Sequence, residues 1–177
     1  MVRNDFNDAN RIDIYIDENK NVVIFPISRY DGIYIYADGS ESDNAYFTAY
    51  YPIELKYPYS NIELAEKIRY GIEQKDKHES YNPDKKPTIE EKYYGIKGFK
   101  NAVKGKKLIS VGWDFIQGKY LTLALPCKRG CAYLSIQNTK LSDDADWIGF
   151  ADETIRLINL DLNTLESYKK KKSQLNI

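Results

Sequence analysis

The chain has 177 residues, of which 42% are hydrophobic and 29% are charged, enough apolar material for one packed core. Lysine and arginine total 26, as do aspartate and glutamate, and this zero net charge argues against a strongly basic nucleic-acid binder. No apolar run approaches the roughly 20 residues of a membrane helix, and the first residues lack the apolar stretch of a signal peptide. We therefore expect a cytoplasmic protein, whose two cysteines are reduced in that compartment.

The charges are unevenly distributed along the chain. Residues 1–74 carry 7 basic and 13 acidic side chains, whereas residues 75–107 carry 10 lysines against 5 acids. Residues 108–177 are nearly balanced, with 9 basic and 8 acidic side chains. The acidic first part suits either a basic partner or an ordinary solvated face.

The first part of the chain has the pattern of a strand meander followed by a helix. Apolar residues alternate with polar ones from residue 11 to 17, and three further strand-like runs cover 22–27, 33–36 and 46–53, separated by turns such as Asp31-Gly32. The period then changes at Ser60, and Glu63 three residues later completes a capping box. The spacing predicts a helix over 61–75.

The second part repeats this order of elements. A charged linker precedes a second capping box at Thr88 and Glu91, and a connecting helix is predicted over 89–104, weakened by Gly95 and Gly98. Strands are predicted over 107–113, 119–125 and 131–137, then a helix opened by residues 142–144. The lysine run 169–172 is expected to be a frayed end.

This order predicts an α+β fold in a single compact domain. It comprises two strand-rich antiparallel blocks, each followed by a helix, with a connecting helix between them. The expected divisions are a first block with its helix (1–75), a charged linker with the connecting helix (76–106), a second block with its helix (107–165) and a lysine-rich tail (166–177).

Residues that could carry chemistry are few. His78 is the only histidine and lies in the charged linker, where a solvated role is favoured. Cys127 and Cys131 favour ordinary thiols, with a disulfide or a metal site as the alternatives. The acidic run Asp143, Asp144 and Asp146 favours helix capping over a divalent-metal site, and Gly95-Ile96-Lys97-Gly98 favours a kink over a phosphate clamp. We therefore expect a binding protein with no enzymatic activity, metal or cofactor.

Several segments in the second part resemble the CdiI-type immunity proteins of bacterial contact-dependent growth inhibition. The resemblance lies in residues 94–105, in Lys107 to Trp113, in Gly118 to Leu121, and in residues 141–145 leading to Ile148-Gly149 and the last helix. It implies a cytoplasmic protein that binds the C-terminal toxin domain of a cognate CdiA exoprotein, often a nuclease, in a 1:1 complex. It further implies inhibition by occlusion of the toxin's active site, without cofactors and without a membrane or nucleic-acid partner.

The toxin-binding surface is predicted from charge and exposure rather than from the resemblance. Acidic side chains aimed at a cationic nuclease would speed association, and aromatic anchors would carry binding energy. The first block contains turns that combine both residue types. The candidates are Asp31, Tyr34, Tyr36, Asp38, Glu41, Asp43 and Tyr46.

Two other functions stay open at this stage. Aromatic residues and the lysine-rich centre could form a platform for single-stranded nucleic acid, whose affinity would fall steeply with salt. An enzyme with a carboxylate site at Asp143 and Asp144 would instead show metal-dependent turnover.

Overall fold

The computed structural model describes residues 10–43, 45–82, 84–114, 118–128 and 133–176. Six of the strands follow one another across an antiparallel sheet in the order β5-β2-β1-β7-β8-β9, and β6 also pairs with β2. β3 and β4 form a separate two-stranded sheet. The elements are β1 (Asn10–Ile16), β2 (Val22–Arg29), β3 (Tyr34–Ile35), β4 (Glu41–Ser42), β5 (Tyr46–Thr48), β6 (Ile53–Leu55), α1 (Asn61–Glu73), α2 (Ile89–Tyr94), α3 (Phe99–Ala102), β7 (Lys107–Asp114), β8 (Gly118–Pro126), β9 (Tyr133–Lys140), α4 (Trp147–Asn159) and α5 (Glu166–Lys171).

The predicted α+β class with antiparallel strands is confirmed, and the two strand-rich blocks meet in one sheet. The junction is the pairing of β1 with β7, in which Ile12 lies opposite Val111 and Ile14 opposite Ile109. These four side chains are completely buried. The two halves of the chain therefore share one hydrophobic core.

One face of the sheet is covered by α1 and α4. The alternation in β1 places Ile12, Ile14 and Ile16 on this face, as the period of two predicts. α1 begins at the predicted capping box, in which the Ser60 hydroxyl accepts from the Glu63 amide at 3.2 Å and the Glu63 carboxylate accepts from the Ser60 amide at 2.8 Å. The Ser60 hydrogen bonds hold the pKa of Glu63 below its usual value.

The other face is covered in part by the connecting segment. Tyr15, Phe25 and Leu108 pack there against Ile89 of α2, and the Tyr15 hydroxyl donates to the Glu90 carboxylate at 2.9 Å. Burial raises the pKa of Tyr15 well above its ordinary value. This face therefore combines aromatic packing with buried polar contacts.

The connecting helix is broken, and the prediction of one helix over 89–104 is wrong. α2 ends at Gly95, whose φ of +66° is left-handed, and α3 begins after Gly98, whose φ is +89°. Glycine adopts such backbone angles without the steric cost of a Cβ. The Glu91 carboxylate spans the break by accepting from the amide of Gly98 at 2.6 Å.

Two further helix predictions need correction. α4 begins later than residues 142–144, because its N-cap is Asp146, which accepts from the Gly149 amide at 2.9 Å. The lysine run is also not frayed, since it lies in α5 and the following turn. Tyr168 and Leu175 are buried in that segment, which docks it against the end of the sheet.

The strand predicted over 46–53 is divided. β5 pairs with residues 27–29 of β2 and β6 with residues 22–24, so both lie along the same edge. Pro52 between them has no amide hydrogen to donate to a strand ladder. The strand predicted over 131–137 spans Tyr133–Lys140, and the predicted residue Cys131 lies outside the described residues. Cys127 is disulfide-bonded rather than a thiol.

Candidate partner-binding hairpin

The seven predicted binding residues lie in one excursion from the edge of the sheet. We call residues 30–46 the acidic hairpin; all of them except residue 44 are described. The excursion leaves the end of β2 and returns as β5, since Arg29 pairs with Tyr46. Between these points, β3 and β4 form a two-stranded ladder with Tyr34 opposite Ser42 and Ile35 opposite Glu41.

A tight turn closes the tip of the acidic hairpin. The Tyr36 amide donates to the Ser40 carbonyl and the Gly39 amide to the Tyr36 carbonyl, both at 2.8 Å. The Asp38 carboxylate accepts from the Ser40 amide at 3.0 Å and from its hydroxyl at 2.6 Å. Aspartate commonly stabilises turns in this way. Asp38 therefore has a structural task in the turn, apart from any role in binding.

The predicted tyrosines form an aromatic cluster on the inner face of the hairpin. The Tyr34 ring lies edge-to-face with Tyr30, Tyr36 and Phe47, at centroid distances of 5.8, 5.1 and 4.6 Å. The Tyr34 hydroxyl donates to the Asp84 carboxylate at 3.1 Å. Partial burial and this hydrogen bond raise the pKa of Tyr34. Tyr34 and Tyr36 are half-buried, so they hold the hairpin's shape as well as offering contact area.

The outer face carries two isoleucines that sequence reasoning missed. Ile33 and Ile35 are 64% and 61% exposed, more than any other large hydrophobic side chain in the described part of the chain. The signal for them was the alternation of isoleucine with tyrosine over 33–36, which puts the two residue types on opposite faces. The sequence does not reveal which of these faces is covered.

The acidic hairpin contains four acids and no lysine or arginine. Asp31, Asp38, Glu41 and Asp43 are all exposed. The nearest defined cation is at the base, where the Arg29 guanidinium donates to the Asp43 carbonyl at 3.1 Å. The hairpin therefore presents a concentrated negative charge to an approaching partner.

Tyr46 lies at the base of the hairpin rather than on its outer face. Its ring is half-buried, and the Lys75 ammonium lies 5.0 Å from the ring centroid. A cation above an aromatic face is attracted by the ring's negative quadrupole. Tyr46 therefore connects the return strand to the end of α1.

The other residues singled out by sequence lie away from the hairpin's outer face. The His78 ring stacks on Tyr51 at 3.7 Å, and its Nε2 lies 3.3 Å from the Gln74 side-chain oxygen. Asp143 and Asp144 lie in the turn before α4, where the Asp143 carbonyl accepts from the Lys119 ammonium at 2.6 Å. No group of three or more potential metal-ligating side chains occurs in the described ranges.

Two lysines of the basic central segment lie over tyrosine rings. The Lys92 ammonium is 3.8 Å from the Tyr50 ring centroid, and the Lys106 ammonium is 4.3 Å from that of Tyr94. These aromatic faces are thus already in contact with cations of the same chain. No helix within the described residues is long and apolar enough to cross a membrane.

The sequence matches no protein-family model and no curated protein. Two solved structures share the fold. A protein of unknown function from Neisseria meningitidis, NMB0488, has a TM-score of 0.52 at 12% identity, over 90% of this chain and 98% of that one. A chain of the CdiA-CT/CdiI toxin and immunity complex from Yersinia pseudotuberculosis has a TM-score of 0.54 at 10% identity, over 86% of this chain and 97% of that one.

Proposed function

We propose that the chain is an immunity protein that binds and neutralises the C-terminal toxin domain of a cognate CdiA exoprotein. The observation that carries this proposal is the fold shared with a chain of a toxin and immunity complex, which extends over 86% of this chain. The resemblance of residues 94–121 and 141–149 to CdiI-type proteins supports the same assignment. The protein would act in the cytoplasm of the cell that makes the toxin, in a 1:1 complex.

The acidic hairpin is the proposed recognition element. A nuclease holds its phosphate-rich substrate with cationic groups, and the four acids of the hairpin are complementary to such a surface. The aromatic cluster around Tyr34 fixes the hairpin before binding, which reduces the conformational entropy lost on association. Occlusion of the toxin's substrate surface requires no chemistry from this chain.

Neutralisation is tested with the toxin domain encoded beside this chain. Growth of cells expressing that domain is measured with and without the full chain, and the affinity and stoichiometry are measured by calorimetry. We expect restored growth and a tight 1:1 complex. A domain that kills cells equally well in the presence of this chain, and does not bind it, would refute the proposed function.

The placement of the interface is tested separately by charge reversal. Asp31→Lys with Glu41→Lys changes the hairpin charge by four units and spares Asp38, whose carboxylate holds the turn. Glu66→Lys with Glu73→Lys makes the same change in total charge on α1. We expect the hairpin variant to associate at least tenfold more slowly at low salt, because steering acts on the association rate. Equal rates for the two variants would place the interface elsewhere.

A further inference from the structure

The outer face of the acidic hairpin exposes a pair of aliphatic side chains that the fold itself does not explain. Ile33 and Ile35 are 64% and 61% exposed, while Tyr34 between them faces the aromatic cluster. Exposed apolar side chains that lie next to each other and are rimmed by polar groups are typical of interaction sites. Single exposed hydrophobics elsewhere, such as Ile62 on α1, need no such explanation.

The backbone around these isoleucines is held from three sides. The Tyr34 hydroxyl donates to Asp84 at 3.1 Å, and the Arg29 guanidinium donates to the Asp43 carbonyl at 3.1 Å. The amide of Tyr30 donates to the Ala45 carbonyl at 2.7 Å, which closes the base of the excursion. The exposure of Ile33 and Ile35 is therefore a property of a supported hairpin, in which both side chains are presented in fixed positions.

The ladder places an acid on the same face as the isoleucines. Residues directly opposite each other in an antiparallel pair project their side chains to the same side. Ile35 is opposite Glu41, and both are exposed, whereas Tyr34 is opposite Ser42, which is buried. The outer face thus combines an apolar centre with a carboxylate immediately beside it. Asp31, two residues before Ile33, adds a second exposed carboxylate near the same centre.

We propose that Ile33 and Ile35 are the apolar anchor of the toxin complex, inserting into an apolar groove of the toxin domain that is bordered by lysine or arginine side chains. This proposal rests on the function proposed above. The cationic border follows from charge complementarity with Glu41 and Asp31, and the apolar groove follows from the pair of isoleucines. A central apolar contact surrounded by polar groups is the usual arrangement of energetically dominant residues in protein complexes.

The division of labour between the two residue types has a kinetic signature. Apolar anchors act on the lifetime of the complex, so their loss raises the dissociation rate. Rim charges act on diffusional encounter, so their reversal lowers the association rate. Ile33→Ser with Ile35→Ser should therefore differ in kind from Glu41→Lys.

The anchor is tested in the full chain by surface plasmon resonance against the toxin domain, with circular dichroism melts of every variant. We expect Ile33→Ser and Ile35→Ser each to weaken binding at least tenfold through faster dissociation, with melting temperatures close to that of the wild type. The matched control is Ile62→Ser, which removes an isoleucine that is 59% exposed on a remote helix and should change binding less than twofold.

Each outcome bears on a different proposition. Unchanged dissociation of the Ile33→Ser, Ile35→Ser double variant from a toxin that the wild type neutralises overturns the anchor and leaves the immunity function intact. A wild-type chain that fails to bind the toxin refutes the immunity function and the anchor with it. Sedimentation of the wild type as a dimer that the double variant abolishes would assign the isoleucines to a contact between copies of this chain and overturn the proposal.

Discussion

Replacing Asp13 with alanine should destabilise the protein well beyond the effect of an ordinary surface substitution. Asp13 lies on β1 in the middle of the sheet and is 5% exposed. Its carboxylate accepts from the Ser110 hydroxyl at 2.7 Å, from the Arg11 guanidinium at 3.0 Å and from the Thr48 hydroxyl at 3.2 Å. These contacts connect β1 to β7 and to β5, the strand by which the acidic hairpin returns to the sheet.

The magnitude follows from the partners that the change leaves behind. Each hydroxyl loses a hydrogen bond to a charged acceptor, worth about 1.5–3 kcal/mol. The Asp13 carboxylate raises the pKa of Arg11, but the Arg11 side chain is 46% exposed, so its ion pair adds no more than about 1 kcal/mol. Relief of the buried charge offsets part of this loss. We expect a net loss of roughly 2–4 kcal/mol, which lowers the melting temperature by about 5–15 °C in a chain of this size.

Urea unfolding monitored by tryptophan fluorescence measures this loss. Glu66→Ala is the matched control, because it removes an exposed carboxylate from α1 and should cost less than about 0.5 kcal/mol. Asp13→Asn should fall between the two, since the amide oxygen still accepts a hydrogen bond from one hydroxyl. A loss below about 1 kcal/mol for Asp13→Ala would show that the carboxylate network does not hold the centre of the sheet.

Three further expectations concern stability. Phe150, which is 2% exposed and packs between Trp113 and Trp147, should cost about 3–5 kcal/mol when replaced by alanine in the same urea assay. Asp146→Ala removes the N-cap of α4 and should cost about 1 kcal/mol, with Asp146→Ser largely restoring it. Burial raises the pKa of Tyr59 to about 12, so the unfolded state ionises first, and stability should fall as the pH rises from about 10 toward 12. Tyr59→Phe should flatten that alkaline decline, and an unchanged slope would contradict the burial argument.

Local signals predicted the elements whose stabilising contacts are themselves local. The alternation of Ile12, Ile14 and Ile16 marked β1 and its buried face, because side chains of a strand alternate between two sides. The capping boxes at Ser60 and Thr88 marked the starts of α1 and α2, because their partners lie three residues along the chain. Such contacts are written in a short stretch of sequence.

Contacts between distant residues were beyond reach. The pairing of Ile14 with Ile109 joins strands 95 positions apart, and no short-range period specifies it. The docking of the lysine-rich tail depends on Leu175, which pairs with Cys127 and is completely buried. A run of lysines reads as solvated in either case, so composition could not reveal that the segment is packed.

The candidate interface shows the same division between local and distant information. Charge predicted the correct continuous segment, because the four acids without a basic residue are visible in the sequence. The direction of each side chain was not visible, because it depends on Phe47 and on Asp84, which receives the Tyr34 hydroxyl. Sequence reasoning therefore selected the tyrosines and left out Ile33 and Ile35.

The position of the acidic hairpin separates recognition from folding. Its described residues belong to none of the three buried hydrophobic clusters of the chain, and its own aromatic cluster supports it from the inner face. Substitutions on the outer face, at Ile33, Ile35 or Glu41, should therefore change partner binding with little effect on the free energy of unfolding. Substitutions on the inner face, such as Tyr34→Ala, should lower both, because they remove the ring that fixes the outer face. A protein built in this way can alter its choice of partner by changing a few exposed side chains while its sheet and core stay intact.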